Sequence, residues 1–153
     1  MRDDGANDRA QAAVAADLLA HGVTAHCLSA ALTFGAALTI PVLGLLRPDS
    51  LAMAMATLVV VLGAAELWVA LRVSFDARIF ERLAGGGAAD GLDVGRFDAA
   101  MQTVGLLQAD KVGRPVALRI RGAMGLLGRQ LALLLAQLVV LAGGGWILAG
   151  TGS

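Results

Sequence analysis

A single carboxylate, Glu66, is set into an otherwise apolar run from Leu51 to Val73. An ionisable side chain at membrane depth costs about 2.5–3.5 kcal/mol on insertion scales, so it is held there by a partner or by function. Two kinds of chemistry suit a lone intramembrane carboxylate. It can carry a proton or a cation, or meet a partner subunit; alternatively it can be neutralised by a base on a neighbouring helix. Arg129, at the start of the last apolar run and on the same side of the membrane, is the expected base. Arg72, roughly one and a half turns from Glu66, is expected to reach the headgroups instead.

The Glu66–Arg129 pairing implies a register. On the Glu66 helix, Ala52, Ala56, Gly63 and Glu66 fall near one face; on the last helix Arg129, Ala132, Ala136 and Gly143 do. Antiparallel alignment then sets Gly63 against Ala132 and Ala52 against Gly143. Small residues permit close backbone approach, so these positions form the expected packing seam.

Other chemistry-bearing residues are few. His21, His26 and Cys27 form the one cluster of metal- or haem-ligand type. The two histidines are about 140° apart around a helix, so they do not grip one ion from one helix, though either would serve as a single axial haem ligand. Lys111, Arg114, Arg119 and Arg121 make a basic juxtamembrane strip suited to anionic headgroups or an acidic partner. Gly143-Gly144-Gly145 lacks the Lys-Ser/Thr that a phosphate loop needs. With no Ser/His/Asp, Cys/His or paired-carboxylate set recognisable, the expectation is a non-enzyme without cofactor or metal.

The elements that must position these residues are read from hydropathy and punctuation. Residues 1–26 are expected to be a polar tail leading into an Ala-rich helix that lies at the interface or extends the first span. Residues 27–46 and 51–73 read as an antiparallel transmembrane hairpin turned by Arg47-Pro48-Asp49-Ser50. Pro41 removes one backbone donor within the first span, with Thr33 and Thr39 near enough to compensate. Residues 74–129 read as a cytoplasmic amphipathic segment. Within it Phe75, Ile79, Phe80 and Leu83 share a face, Val94, Phe97, Met101 and Val104 repeat at helical spacing, and Pro115 opens the next helix. Residues 130–150 form the third span and 151–153 a short tail. Trp146 reads as an interfacial anchor and Trp68 as a packed residue.

Composition agrees with this threading. The chain has 153 residues, 58% of them hydrophobic and 16% charged, against about 25% charge in soluble domains. Residues 18–46 and 130–153 carry no Asp, Glu, Lys or Arg. Net charge is zero, so nothing favours nucleic acid. One cysteine excludes an intrachain disulfide. The acidic first residues are unlike a secretory leader. Nine of the twelve basic residues lie from Arg72 to Arg129, which predicts a bacterial inner-membrane protein with that segment and the N-terminus inside and the C-terminus outside.

The fold expectation is therefore all-α, with three transmembrane helices and amphipathic cytoplasmic helices between spans two and three. The function expected is a non-catalytic accessory, assembly or scaffold subunit of a membrane complex, whose partners are the anionic bilayer and other membrane subunits or its own copies. Two alternatives belong to other classes. One is a small oligomeric transporter, channel or holin-like pore former, with Glu66 and Gln137 lining a polar path. The other is a haem- or quinone-binding anchor resting on His21 or His26.

Overall fold

A computed structural model describes residues 3–46, 50–85, 94–103, 105 and 115–150. The described elements are five α-helices in order: α1 (Asp3–Ala20), α2 (Gly22–Leu46), α3 (Ser50–Gly85), α4 (Val94–Thr103) and α5 (Val116–Gly150). The protein is all-helical, and three of its helices are long and apolar enough to cross a membrane. The stretches that qualify are Gly5–Leu46, Ser50–Gly85 and Val116–Trp146.

Helix ends follow the local chemistry. Helix α1 begins at Asp3, within the polar tail expected ahead of the Ala-rich helix. At His21 one residue of turn separates α1 from α2, and its carbonyl accepts from the Thr24 N–H at 3.1 Å. Helix α2 runs through Pro41. Neither nearby threonine serves the carbonyl that proline leaves: Thr39 Oγ1 donates to Gly35 O and Thr33 Oγ1 to Ser29 O. Gly105, at φ +73°, donates its N–H to Gln102 O and closes α4 in the left-handed conformation that glycine adopts without a Cβ penalty. The Pro115 carbonyl accepts from Leu118 and Arg119 at the head of α5. The turn at residues 47–49, residues 86–93, Val104 and residues 106–114 lie outside the described residues.

The chain divides into two compact units. One comprises Met1–Ala20 and Val73–Gly125. Its buried apolar residues are Ala12, Ala15 and Leu19 of α1, Val73, Phe80 and Leu83 of α3, and Val116 and Ala123 of α5. Phe75, expected on the same face as Phe80, is 47% exposed. Asp98 of α4 is fully buried and accepts from Arg119 Nη2 on both carboxylate oxygens at 2.8 Å. A guanidinium across the contact makes burial of this carboxylate tolerable. The side chains of Val94, Phe97 and Met101 lie outside the described residues.

The second unit comprises His21–Arg72 and Leu126–Ser153, which are α2, the first part of α3 and the last part of α5. Its buried positions recur every seven residues. On α2 the series is Gly22, Ser29 and Ala36, with Ala25 buried beside it; on α3 Ala52, Val59 and Glu66, alongside Ala56, Gly63 and Ala70; on α5 Gln130, Gln137 and Gly144, with Leu134 also buried. A seven-residue recurrence keeps one seam facing its neighbours along left-handed helix crossings. A Cβ built on Gly63 would overlap Thr33 Oγ1 and lie 2.8 Å from Thr33 Cβ, so α2 and α3 approach closely at this glycine.

Candidate functional site

The polar side chains of the second unit converge in two layers. Glu66 of α3 is 1% exposed. His26 of α2 donates from Nδ1 to Glu66 Oε2 at 3.0 Å, and Gln130 of α5 donates from Nε2 to Glu66 Oε1 at 2.8 Å. The same Gln130 nitrogen donates to the Gly22 carbonyl at 2.8 Å. Each of the three helices therefore contributes a group. An unpaired polar group in hydrocarbon costs several kcal/mol, which is why they gather.

One heptad along each helix, about 10 Å away, the pattern repeats. Gln137 of α5 donates from Nε2 to Thr33 Oγ1 at 3.0 Å and to the Val59 carbonyl at 3.2 Å. Ser29 Oγ donates to Gln137 Oε1 at 2.7 Å. Seven residues separate Gly22 from Ser29, His26 from Thr33, Val59 from Glu66 and Gln130 from Gln137. In both layers a glutamine of α5 bridges α2 and α3 through its amide N–H groups. The layers differ at one position. Where the second has the Ser29 hydroxyl, the first has Gly22, and Gln130 Oε1 is a buried oxygen with no partner.

The expected Glu66–Arg129 pair gives way to this arrangement. Arg129 is exposed, and its neighbour Gln130 takes the contact. Successive residues are 100° apart on a helix, so a seam through Gln130 turns Arg129 outward. The expected seam fares differently on its two helices. Ala52, Ala56 and Gly63 are buried, whereas Ala132 and Gly143 are exposed and Ala136 is half-buried. The α5 seam is shifted by one residue, to 130, 137 and 144. Gly63 meets Thr33 of α2 rather than Ala132 of α5.

The remaining candidates scatter. His21 is exposed at the α1–α2 turn, and Cys27 is exposed. Among the described residues no group of three or more His, Cys, Asp or Glu is placed to hold a metal ion. Arg121 is exposed; Arg119 is engaged by Asp98; Lys111 and Arg114 lie outside the described residues. Trp68, expected to pack, is 63% exposed with the Arg72 guanidinium 5.4 Å from its ring centroid, a cation–π distance. Trp146 is 83% exposed.

Sequence reading centred on charge missed Gly22, Ser29 and Gln130 as members of the site. The signal was the pair Gln130 and Gln137, seven apart in a charge-free apolar run, opposite polar residues of α2 at matching spacing. No family model, curated protein or solved structure matches the chain.

Proposed function

We propose that this protein is a non-catalytic accessory, assembly or scaffold subunit of a membrane protein complex, threaded three times through a bacterial inner membrane with its N-terminus inside. The observation that carries the reading is the enclosure of Glu66. Its carboxylate is bonded inward by His26 and Gln130 from two other helices, so the charge serves to hold α2, α3 and α5 together. The outward faces are left apolar, with Val61, Leu135, Val139 and Trp146 at 58%, 61%, 62% and 83% exposure. Such faces suit lipid chains and the helices of other membrane subunits. The exposed Arg121, with Lys111 and Arg114 near it in sequence, is suited to anionic headgroups at about 1 kcal/mol per charge.

The test is copurification from native membranes in mild detergent under crosslinking. Recovery in a defined complex with other membrane proteins is the expected result. Recovery only as a ring of identical copies that passes ions in liposomes would replace this reading with the pore former. A haem absorbance band in the purified protein would replace it with the redox anchor.

A further inference from the structure

Two guanidiniums of the second unit are left without a carboxylate. Arg72 and Arg129 are both exposed, and neither has an ion-pair partner among the described residues. They stand on one face. Helices α3 and α5 run antiparallel, with Met55 beside Gly144 at one end of their contact and Glu66 bonded to Gln130 further along. A Cβ built on Gly144 would meet Met55 Cε at 2.8 Å, whereas α2 meets α3 from the other side, through Thr33 at Gly63. At about 100° per residue, Arg72 lies about 120° round α3 from Glu66 in the Met55 sense, beyond the contact with α5. Arg129 lies about 100° round α5 from Gln130 in the Gly144 sense, beyond the contact with α3. Both therefore project from the outer face of the α3–α5 pair, the face turned away from α2. Their depths are close. Arg129 is about 1.5 Å along its helix from Gln130, and Arg72 about 9 Å from Glu66 toward the same end. Trp68 closes most of that difference. It sits one turn before Arg72, whose guanidinium is 5.4 Å from the ring centroid and so is drawn back toward the depth of Arg129. A guanidinium stacked on a ring keeps its N–H edge for a second partner. Toward the middle of the spans the same face is uncharged, lined by Ala65 and Val61 on α3 and by Ala132 and Ala136 on α5.

We propose that Arg72 and Arg129 form a binding site for one anionic phospholipid, whose phosphate bridges the two guanidiniums and whose acyl chain lies along the uncharged track beside them. Charge and layout both select a lipid. Two uncompensated cations need an anion, and guanidiniums match phosphate oxygens through paired N–H groups. A pair of cations at the head of an apolar track is the complement of a headgroup joined to its chain. Basic pockets between membrane helices hold lipid headgroups in this way. An acidic peptide would match the cations but leave the track uncovered. The proposal rests on the chain crossing a bilayer, and not on its role as an accessory subunit or on the direction of its threading.

Trp68 supplies the readout. The chain has two tryptophans, so Trp146→Phe leaves Trp68 as the sole indole of the full chain. That protein is reconstituted in phosphatidylcholine bilayers holding a minor fraction of phosphatidylglycerol brominated on its acyl chains, or of equally brominated phosphatidylcholine. Bromine quenches an indole that its lipid touches, so the ratio of the two quenching levels gives the relative occupancy beside Trp68. A preference of about tenfold for phosphatidylglycerol is expected. Arg72→Gln and Arg129→Gln should each reduce it about threefold, and the double variant should abolish it. Arg72→Lys and Arg129→Lys, which keep the charge, should retain most of it, and circular dichroism checks that every variant is folded. Arg121→Gln removes an exposed charge about 12 Å before Arg129 on the same helix and should leave the preference unchanged. Equal quenching by the two lipids in the parent would overturn the proposal and leave the arginines to an acidic segment of another subunit. A preference that survives the double variant, or that falls as far with Arg121→Gln, would overturn the site in favour of diffuse attraction.

Discussion

At the scale of single residues, the bonding of Glu66 decides what substitutions do. Glu66→Leu removes the acceptor for both His26 Nδ1 and one N–H of Gln130. Leaving a buried donor unmatched costs about 1–3 kcal/mol, so this variant should lose stability by roughly that amount in detergent-resistance or thermal unfolding assays. Arg129→Gln, at an exposed position, should stay within about 0.5 kcal/mol of the parent. Combining Arg129→Gln with Glu66→Leu should bring no recovery. Rescue in that double variant would restore the direct Glu66–Arg129 pair. Gln137→Leu should cost about 1–2 kcal/mol, because it leaves the Ser29 hydroxyl without its acceptor and takes an N–H from Thr33 Oγ1 and from the Val59 carbonyl.

At the scale of elements, two contacts control how helices meet. Gly63 is where α3 lets α2 approach, and Gly63→Ala sets a methyl group into Thr33. Overpacking of this kind costs about 1–3 kcal/mol. Adding Thr33→Ala to Gly63→Ala should recover part of the loss, while Gly35→Ala, with nothing within 4 Å of its Cβ position, should be silent. Equal losses at Gly63 and Gly35 would show that helix propensity, not α2–α3 contact, sets these effects. The second contact is the Asp98–Arg119 pair, which fastens α4 to α5. Asp98→Asn removes the charge that pairs with Arg119, and loss of this part-buried pair should cost up to about 3 kcal/mol. Faster amide exchange confined to α4 and the head of α5 is the expected readout.

At the scale of the whole molecule, charge distribution makes the prediction. Basic residues concentrate between the second and third long apolar helices, and the tendency of such segments to remain inside is the basis of the proposed threading. With the exposed Cys27 replaced by Ala, Ser50→Cys should react with an impermeant maleimide added to intact cells, and Gly91→Cys should react only after lysis. The opposite pattern would invert the proposed orientation. The two compact units also cut across the linear order. Residues Met1–Ala20 cluster with Val73–Gly125, so the N-terminal helix belongs with the segment between the later spans. Deleting residues 3–18 should expose the Phe80 and Leu83 side of α3, raising binding of a hydrophobic dye to the purified protein.

Helix class, the three long apolar stretches and the exceptional standing of Glu66 were all legible in the sequence alone. Long charge-free runs and Pro-rich punctuation are local properties, and the long α3 with its extension past Val73 follows from uninterrupted helical sequence. The inward face of α3 was legible too, because Ala52, Ala56, Gly63 and Glu66 share one stripe. What only the tertiary structure decided is which face of α5 turns in and what meets Glu66. Arg129, Gln130 and Gln137 all lie at suitable depths, and a one-residue choice among them rotates the helix by 100°. Charge attraction favours Arg129, but the cationic end of a long side chain reaches the headgroups at little cost, whereas a glutamine has no such escape and must be matched inside. Engaging the N–H groups of two amides, a hydroxyl pair and a carboxylate at once outweighs one ion pair. That sum is taken over three helices whose polar residues stand up to 108 positions apart in the chain, and the packed bundle evaluates it where no local pattern does.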